Sequence, residues 1–180
     1  MEFSIKKTNK EISQRQLEGY ERYSELIQWG RKNPVMFCEY MLGIEFMDFQ
    51  RYIFMNSWNK TFCLWVMSRN AGKSTLVAPF NMTKLLLFPN FTSYILSITA
   101  AQSSDTFTKM EKIAKKQIES FTGLTDFYLG EVVPSANSDG FTHSPAGFKF
   151  SLYNGSQTTS LAGIEDNVRG KRSNLNIYDE

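Results

Sequence analysis

The sequence contains little cysteine and little histidine. Its 180 residues include two cysteines, Cys38 and Cys63, and one histidine, His143. No C-x-x-C pair and no Cys/His cluster occurs, so the sequence predicts neither a zinc site nor a disulfide framework. His143 stands among Ser, Thr, Gly and Pro, which is typical of a loop.

Long apolar runs are also absent. Runs such as 62–67 and 85–88 are far shorter than the roughly 20 residues that a membrane-spanning helix needs. Residues 1–7 lack the apolar stretch of a signal peptide. We therefore expect an intracellular protein that has no membrane partner.

The overall composition is that of one globular domain. Hydrophobic residues make up 42% of the chain and charged residues 21%, which is enough for a sizeable core. The formal net charge of +2 is too small to indicate a polyanionic partner, so any contact with nucleic acid requires a local basic patch. Most of the 15 Phe, 8 Tyr and 3 Trp are expected in the core.

Periodicity predicts helices first and then an alternation of strands and helices. Helices are predicted over 9–31, 34–42 and 46–58, the second one starting at Pro34. Next come a strand over 61–67 that is buried on both faces, a helix over 72–88, a strand over 93–99 and a helix over 102–121. Such alternation predicts a mostly parallel sheet that is flanked by helices.

Two further strand signals follow. Alternating residues on either side of Asn154-Gly155 predict a β-hairpin that joins 147–153 to 156–161. A last short strand is predicted over 175–178, directly before Asp179 and Glu180. The fold class is therefore α/β with a β-hairpin insertion.

A phosphate-binding loop is predicted between the strand 61–67 and the helix 72–88. Gly72 lets the backbone approach a phosphate closely, Lys73 reaches the β- and γ-phosphates of ATP, the hydroxyl of Ser74 can ligate Mg²⁺, and Thr75 is placed to touch the α-phosphate. Met67 stands where the usual Walker A pattern has its first glycine, so a chance Gly-Lys-Ser-Thr is the alternative. The full set of predicted nucleotide contacts in this loop is Ser68, Arg69, Asn70, Ala71, Gly72, Lys73, Ser74 and Thr75.

Asp179 and Glu180 form a predicted pair of functional acids, as in a Walker B motif. In a P-loop hydrolase the first acid helps to hold Mg²⁺, and a neighbouring acid can orient the attacking water. A parallel strand delivers both acids at its carboxyl end, where the phosphate loop also lies. An ordinary Asp-Glu turn after a strand is the alternative.

These motifs together resemble one family, the large terminase subunit of tailed bacteriophages. Arg69 precedes Gly72 by three residues, as in the deviant phosphate loop of that family, and Phe49-Gln50 resembles its adenine-sensing glutamine motif. Asn154-Gly155-Ser156, the stretch 167–172 and the stretch 174–180 follow in the family's order and spacing. The resemblance extends from about residue 37 to residue 180.

The resemblance implies an ATPase with a RecA-like P-loop fold that uses ATP and Mg²⁺. Gln50 would recognise adenine, Arg69 would stabilise charge at the γ-phosphate, and Arg169 would act as an arginine finger across a ring interface. The alternatives are a helix that packs in the core for Gln50, a structural salt bridge for Arg69, and a loop that grips DNA phosphates or is merely solvated for Arg169.

The resemblance also implies partners and a domain organisation. The partners would be double-stranded DNA, the portal protein, the small terminase subunit and further copies of the chain in a ring, at the prohead in the host cytoplasm. Residues 1–45 would form an N-terminal helical segment, and residues 46–180 part of the ATPase domain.

The family's coupling motif and nuclease domain do not follow Glu180, so the sheet is expected to be incomplete at its C-terminal side. A truncated chain and an interrupted gene are both open as explanations. A helicase-like ATPase and a nucleotide-binding fragment that hydrolyses nothing are the rival functions.

Overall fold

The computed structural model describes residues 14–68, 70–134, 139–144, 147–162 and 170–179. Six helices and five strands lie in these ranges. In chain order they are α1 (Gln14–Lys32), α2 (Pro34–Leu42), α3 (Asp48–Trp58), α4 (Lys73–Leu87), β1 (Thr92–Ser97), α5 (Ala100–Ala114), α6 (Thr125–Glu131), β2 (Thr142–Ser144), β3 (Gly147–Ser151), β4 (Gln157–Ala162) and β5 (Leu175–Tyr178).

The strands form one mixed sheet in the order β2-β3-β4-β1-β5. β1 lies between β4 and β5 and pairs in parallel with both, with Ile95 opposite Ser160 on one side and Ile177 on the other. β3 pairs antiparallel with both of its neighbours, so four of the five described strands run in one direction and β3 runs in the other. The prediction of an α/β fold with a mostly parallel sheet is confirmed.

The predicted hairpin around Asn154-Gly155 is confirmed as β3 and β4. Ser151 lies opposite Gln157, and Gly155 takes the left-handed conformation (φ 84°) that such a turn requires. The hairpin is not a separate insertion, however, because β4 also pairs with β1 and so belongs to the main sheet. The second strand of the hairpin, β4, runs parallel to β1 and β5, so the carboxyl ends of these three strands lie at the same edge of the sheet.

The predicted strand over 61–67 is wrong. Residues 62–68 form no strand, and the side chains of Phe62, Leu64 and Val66 are 92%, 87% and 86% exposed. Of the apolar residues in this segment, Trp65 packs on Phe80. The segment pairs with no strand of the described sheet, so its backbone lacks the ladder of hydrogen bonds that a strand needs.

Two smaller predictions also need correction. α5 ends at Ala114 rather than near residue 121, because Lys116 takes a left-handed conformation (φ 55°) just beyond the helix. His143 is not a loop residue but lies in β2, where its Nε2 is 2.7 Å from Oε2 of Glu111. The predicted start of the first helix, 9–13, lies outside the described residues.

The core lies between the sheet and the helices α2, α4 and α5. Leu76, Met82 and Leu85 of α4 are fully buried, and Phe107 of α5 packs on Phe150 of β3. This packing fixes α4 and α5 side by side, so that the N-terminus of α4 lies near the carboxyl ends of β1 and β5. In the described part of the chain, no helix is long and apolar enough to cross a membrane.

Candidate functional site

The loop before α4 turns sharply into the helix. Asn70 and Gly72 both have left-handed backbones, with φ of 65° and 82°, and the amide of Ala71 donates to the carbonyl of Ser68 at 3.3 Å. Gly72 is the N-cap residue and has no side chain with which to cap the first turn. The first backbone N–H groups of α4 lack intrahelical acceptors, so they can bind an anion.

Gln50 supports this loop from α3. Its side chain is 9% exposed; its Nε2 donates to the carbonyl of Ala71 at 3.4 Å, and its Oε1 accepts from the amide of Met47 at 3.0 Å. A Cβ at position 72 would lie 2.8 Å from Nε2 of Gln50, so glycine also makes room for this contact. The structure thus places Gln50 against the predicted phosphate loop, and its contact with adenine stays a prediction.

Lys73 and Asp179 meet at the centre of the site. Nζ of Lys73 is 3.2 Å from Oδ1 of Asp179, and both side chains are mostly buried. The amide of Asp179 donates to the carbonyl of Leu96 at 2.8 Å, which continues the pairing of β5 with β1. The hydroxyl of Ser97 donates to the carbonyl of Asp179. β5 therefore delivers Asp179 to the N-terminus of α4, as its place at the carboxyl end of a parallel strand predicts.

Sequence reasoning missed the contribution of α5. Oγ1 of Thr106 donates to Oδ2 of Asp179 at 2.6 Å, and Nζ of Lys109 donates to Oγ1 of Thr75 at 3.1 Å. Burial lowers the pKa of Lys109. The spacing of three residues places both on one helix face. Threonine and lysine at that spacing are common on ordinary helices, which explains why the sequence alone did not single them out.

The oxygen donors of the site suit Mg²⁺. The hydroxyl of Ser74 in the first turn of α4 and the carboxylate of Asp179 are hard ligands, and Mg²⁺ commonly uses only one or two protein oxygens together with substrate phosphates. Within the described ranges, no group of three His, Cys, Asp or Glu residues could hold a metal ion by itself. The residues present therefore fit Mg²⁺ that arrives with a phosphate ligand.

The three predicted catalytic residues, Arg69, Arg169 and Glu180, lie outside the described residues. Their roles stay predictions. Gly170, which follows Arg169, is exposed with a φ of 77°, and Nζ of Lys171 lies 5.8 Å from the centre of the Tyr94 ring on β1. The side chain of Lys171, two residues after Arg169, thus lies near β1.

Comparison with known proteins gives a likeness in fold. No protein-family profile matches the chain. No curated protein sequence matches it either. A solved structure, the ATPase domain of the large terminase of Thermus phage P74-26, is similar with a TM-score of 0.53 and 18% sequence identity. The match covers 80% of this chain and 56% of that chain, so this chain spans little more than half of that domain's length. The chain therefore has a mixed α/β fold similar to that of an ATPase domain.

Proposed function

We propose that this chain is the nucleotide-binding part of an ATP-hydrolysing motor that moves double-stranded DNA into a viral prohead. The observation that carries the proposal is the pairing of Lys73, in the first turn of α4, with Asp179 at the end of β5. A lysine at an uncapped helix N-terminus beside a carboxylate at a strand end is the arrangement that P-loop hydrolases use for Mg²⁺–ATP. The likeness in fold to a terminase ATPase domain supports the same proposal.

Each group of the site has a role in this proposal. The backbone amides of residues 72–75 and the ammonium of Lys73 bind the β- and γ-phosphates. Ser74 and Asp179 would hold Mg²⁺, which when bound neutralises charge on the phosphate oxygens. Gln50 fixes the loop through its contact with Ala71, which keeps the amides oriented before the ligand arrives.

The predicted catalytic residues complete the proposed reaction. Glu180 directly follows Asp179, so its carboxylate would orient the water that attacks the γ-phosphate. Arg69 would stabilise the charge that develops on the transferred phosphoryl group, and Arg169 would do so from a neighbouring copy in a ring. Double-stranded DNA, the portal protein and the small terminase subunit are the proposed partners, with the prohead in the host cytoplasm as the place of action.

A titration of ATP·Mg²⁺ by calorimetry tests the binding part of the proposal. Lys73→Ala removes the ammonium at the β- and γ-phosphates, and we expect the affinity to fall by about tenfold or more, since hydrogen bonds to charged groups contribute about 1.5–3 kcal/mol. Lys112→Ala, which removes one exposed lysine of α5, is the matched control and should bind as the parent does. Equal binding by the parent and Lys73→Ala would refute the proposed site.

Turnover is tested separately through Glu180. Glu180→Gln keeps the shape of the side chain and loses its charge, so we expect ATP·Mg²⁺ binding to persist while phosphate release falls by about a hundredfold or more. Phosphate release that continues at the parent's rate would move the catalytic role to another residue.

The exposed segment 62–68 favours a second candidate function, which is nucleotide binding without turnover. This segment leads directly into the phosphate loop, and it has no strand partner among the described residues. A loop whose preceding segment has no strand partner can bind phosphates yet position the γ-phosphate poorly for attack. Normal ATP affinity with no phosphate release by the parent would favour this candidate.

A further inference from the structure

We propose that α5 forms one wall of the nucleotide site, in which Lys109 adds a second ammonium for the phosphates and Thr106 holds the carboxylate of Asp179 in place. The inference rests on the proposed function and extends it to two residues outside both sequence motifs. Thr106 and Lys109 lie one turn apart on the same face of α5. Thr106 contacts Asp179 at the end of β5, and Lys109 contacts Thr75 in the first turn of α4. A single helix therefore contacts both halves of the site.

The charge of Lys109 has no counterion in the described part of the chain. Its side chain is half-buried, and its Nζ donates a hydrogen bond to the neutral hydroxyl of Thr75 at 3.1 Å. Burial lowers the pKa of Lys109, which means that the ammonium is poorly solvated there. The N-terminus of α4 adds further positive potential. An arrangement of this kind is unfavourable by itself and becomes favourable when an anion binds beside it.

Two other partly buried lysines have partners that do not point to a ligand. Nζ of Lys115 is 2.6 Å from carboxylate oxygens of both Glu111 and Asp139. Nζ of Lys84 lies 4.1 Å from the centre of the Trp58 ring, at the opposite end of α4 from the phosphate loop. Lys109 differs from both because it combines partial burial with a place beside the predicted phosphate contacts, and this combination points to an anionic ligand.

Thr106 restrains the rotation of the Asp179 carboxylate. Its hydroxyl is buried and donates to Oδ2 at 2.6 Å, while Oδ1 faces Lys73 at 3.2 Å. A carboxylate offers about four lone-pair positions, so each oxygen keeps one for a further ligand. Thr106 is thus a positioning residue that presents the carboxylate in one orientation to Mg²⁺ bound with a nucleotide.

The test compares matched variants of the 180-residue protein by calorimetric titration with ATP, with and without Mg²⁺. Lys109→Met should weaken ATP binding by about tenfold, whereas Lys112→Met, one turn further along α5, should change it less than about twofold. Lys109→Arg, which keeps the charge, should restore most of the affinity. Lys109→Gln keeps a donor for Thr75 without the charge, and it replaces Lys109→Met if that variant does not fold.

Thr106→Val removes the hydroxyl and keeps the shape of the side chain. We expect the Mg²⁺ concentration for half-maximal ATP binding to rise severalfold, while the affinity for ATP without Mg²⁺ stays as in the parent. Thr108→Val, which changes a threonine on the same helix, is the control, and Thr106→Ser should restore the parent's Mg²⁺ dependence. Thermal unfolding without ligand separates these effects from a loss of stability.

The outcomes distinguish this inference from the function on which it rests. A parent that binds no ATP overturns both. ATP binding that depends on Lys73, with Lys109→Met and Thr106→Val indistinguishable from their controls, overturns the inference and leaves the nucleotide site intact. Equal losses in Lys109→Met and Lys112→Met, or a lower unfolding temperature with unchanged affinities, also overturn it.

Discussion

Two features of position 72, its backbone conformation and the space around it, disfavour alanine. Its φ of 82° lies in the left-handed region, which costs a residue with a Cβ roughly 1–2 kcal/mol. The added Cβ would also lie 2.8 Å from Nε2 of Gln50. Gly72→Ala should therefore lower the free energy of unfolding by about 1–2 kcal/mol, measured by urea denaturation, and should also weaken ATP·Mg²⁺ binding.

Gly19 provides the control for this substitution. It lies inside α1, and no atom lies within 4 Å of an added Cβ. Gly19→Ala should leave ATP binding unchanged and raise the free energy of unfolding by up to about 1 kcal/mol, because alanine is the better helix former. Similar effects of the two substitutions would contradict the strained turn at Gly72.

The two cysteines should react very differently with a thiol reagent. Cys38 is fully buried beside the carbonyl of Pro79, and burial raises its pKa to about 12, so almost none of it is thiolate at neutral pH. Cys63 is exposed. In a colorimetric thiol assay, one thiol per native chain should react rapidly and the second only after unfolding in urea. Cys63→Ser should abolish the rapid phase, and two rapid thiols in the native chain would contradict the buried position of Cys38.

At the scale of elements, Asn154 ties the hairpin to the C-terminal end of α4. Its Nδ2 donates to the carbonyls of Leu85 and Leu86 at 2.8 and 3.3 Å, which are among the carbonyls that lack intrahelical partners. The neighbouring Ser156 donates to the carbonyl of Phe88 at 2.7 Å. The Asn-Gly-Ser segment therefore caps the C-terminal end of α4, the helix whose N-terminus follows the predicted phosphate loop.

Asn154→Ala should lower the free energy of unfolding by about 1–3 kcal/mol, since it leaves partly buried carbonyls without donors. Asn56→Ala is the matched control, because the exposed side-chain amide of Asn56 donates to the carbonyl of Tyr52 within its own helix at 2.8 Å. Its loss should cost less than about 0.5 kcal/mol. Urea denaturation measures both, and equal costs would show that the cap contributes nothing.

Local signals predicted the elements that carry their own start, stop or turn residues. Pro34 marks the first turn of α2, and the helix after Gly72 and the hairpin at Asn154-Gly155 lie where they were expected. The apolar run of 61–67 predicts a buried strand, but these residues form no strand and several of their side chains are exposed. Whether such a run becomes a strand depends on a partner elsewhere in the chain, which its own residues do not reveal.

At the scale of the whole molecule, the site is assembled from distant parts of the chain. The sequence predicts a phosphate loop and a functional Asp179, because Gly-Lys-Ser-Thr and a strand that ends in acids have known chemistry, and the structure brings Lys73 and Asp179 together. Thr106 and Lys109 could not be predicted, because only the packing of α5 against the sheet and α4 brings them to the site. The same assembly brings the buried side chain of Gln50 on α3 to the carbonyl of Ala71 in the loop.

The most direct test locates the nucleotide on the molecule. Two-dimensional ¹H–¹⁵N NMR spectra of the labelled 180-residue protein would be recorded during a titration with ATP·Mg²⁺. We predict that the largest chemical-shift changes occur at the backbone amides of residues 71–75 and Asp179, with smaller changes along the 106–109 turn of α5. Unchanged amides at 71–75 and Asp179, with the largest changes at α1 or at the hairpin turn 153–155, would contradict it.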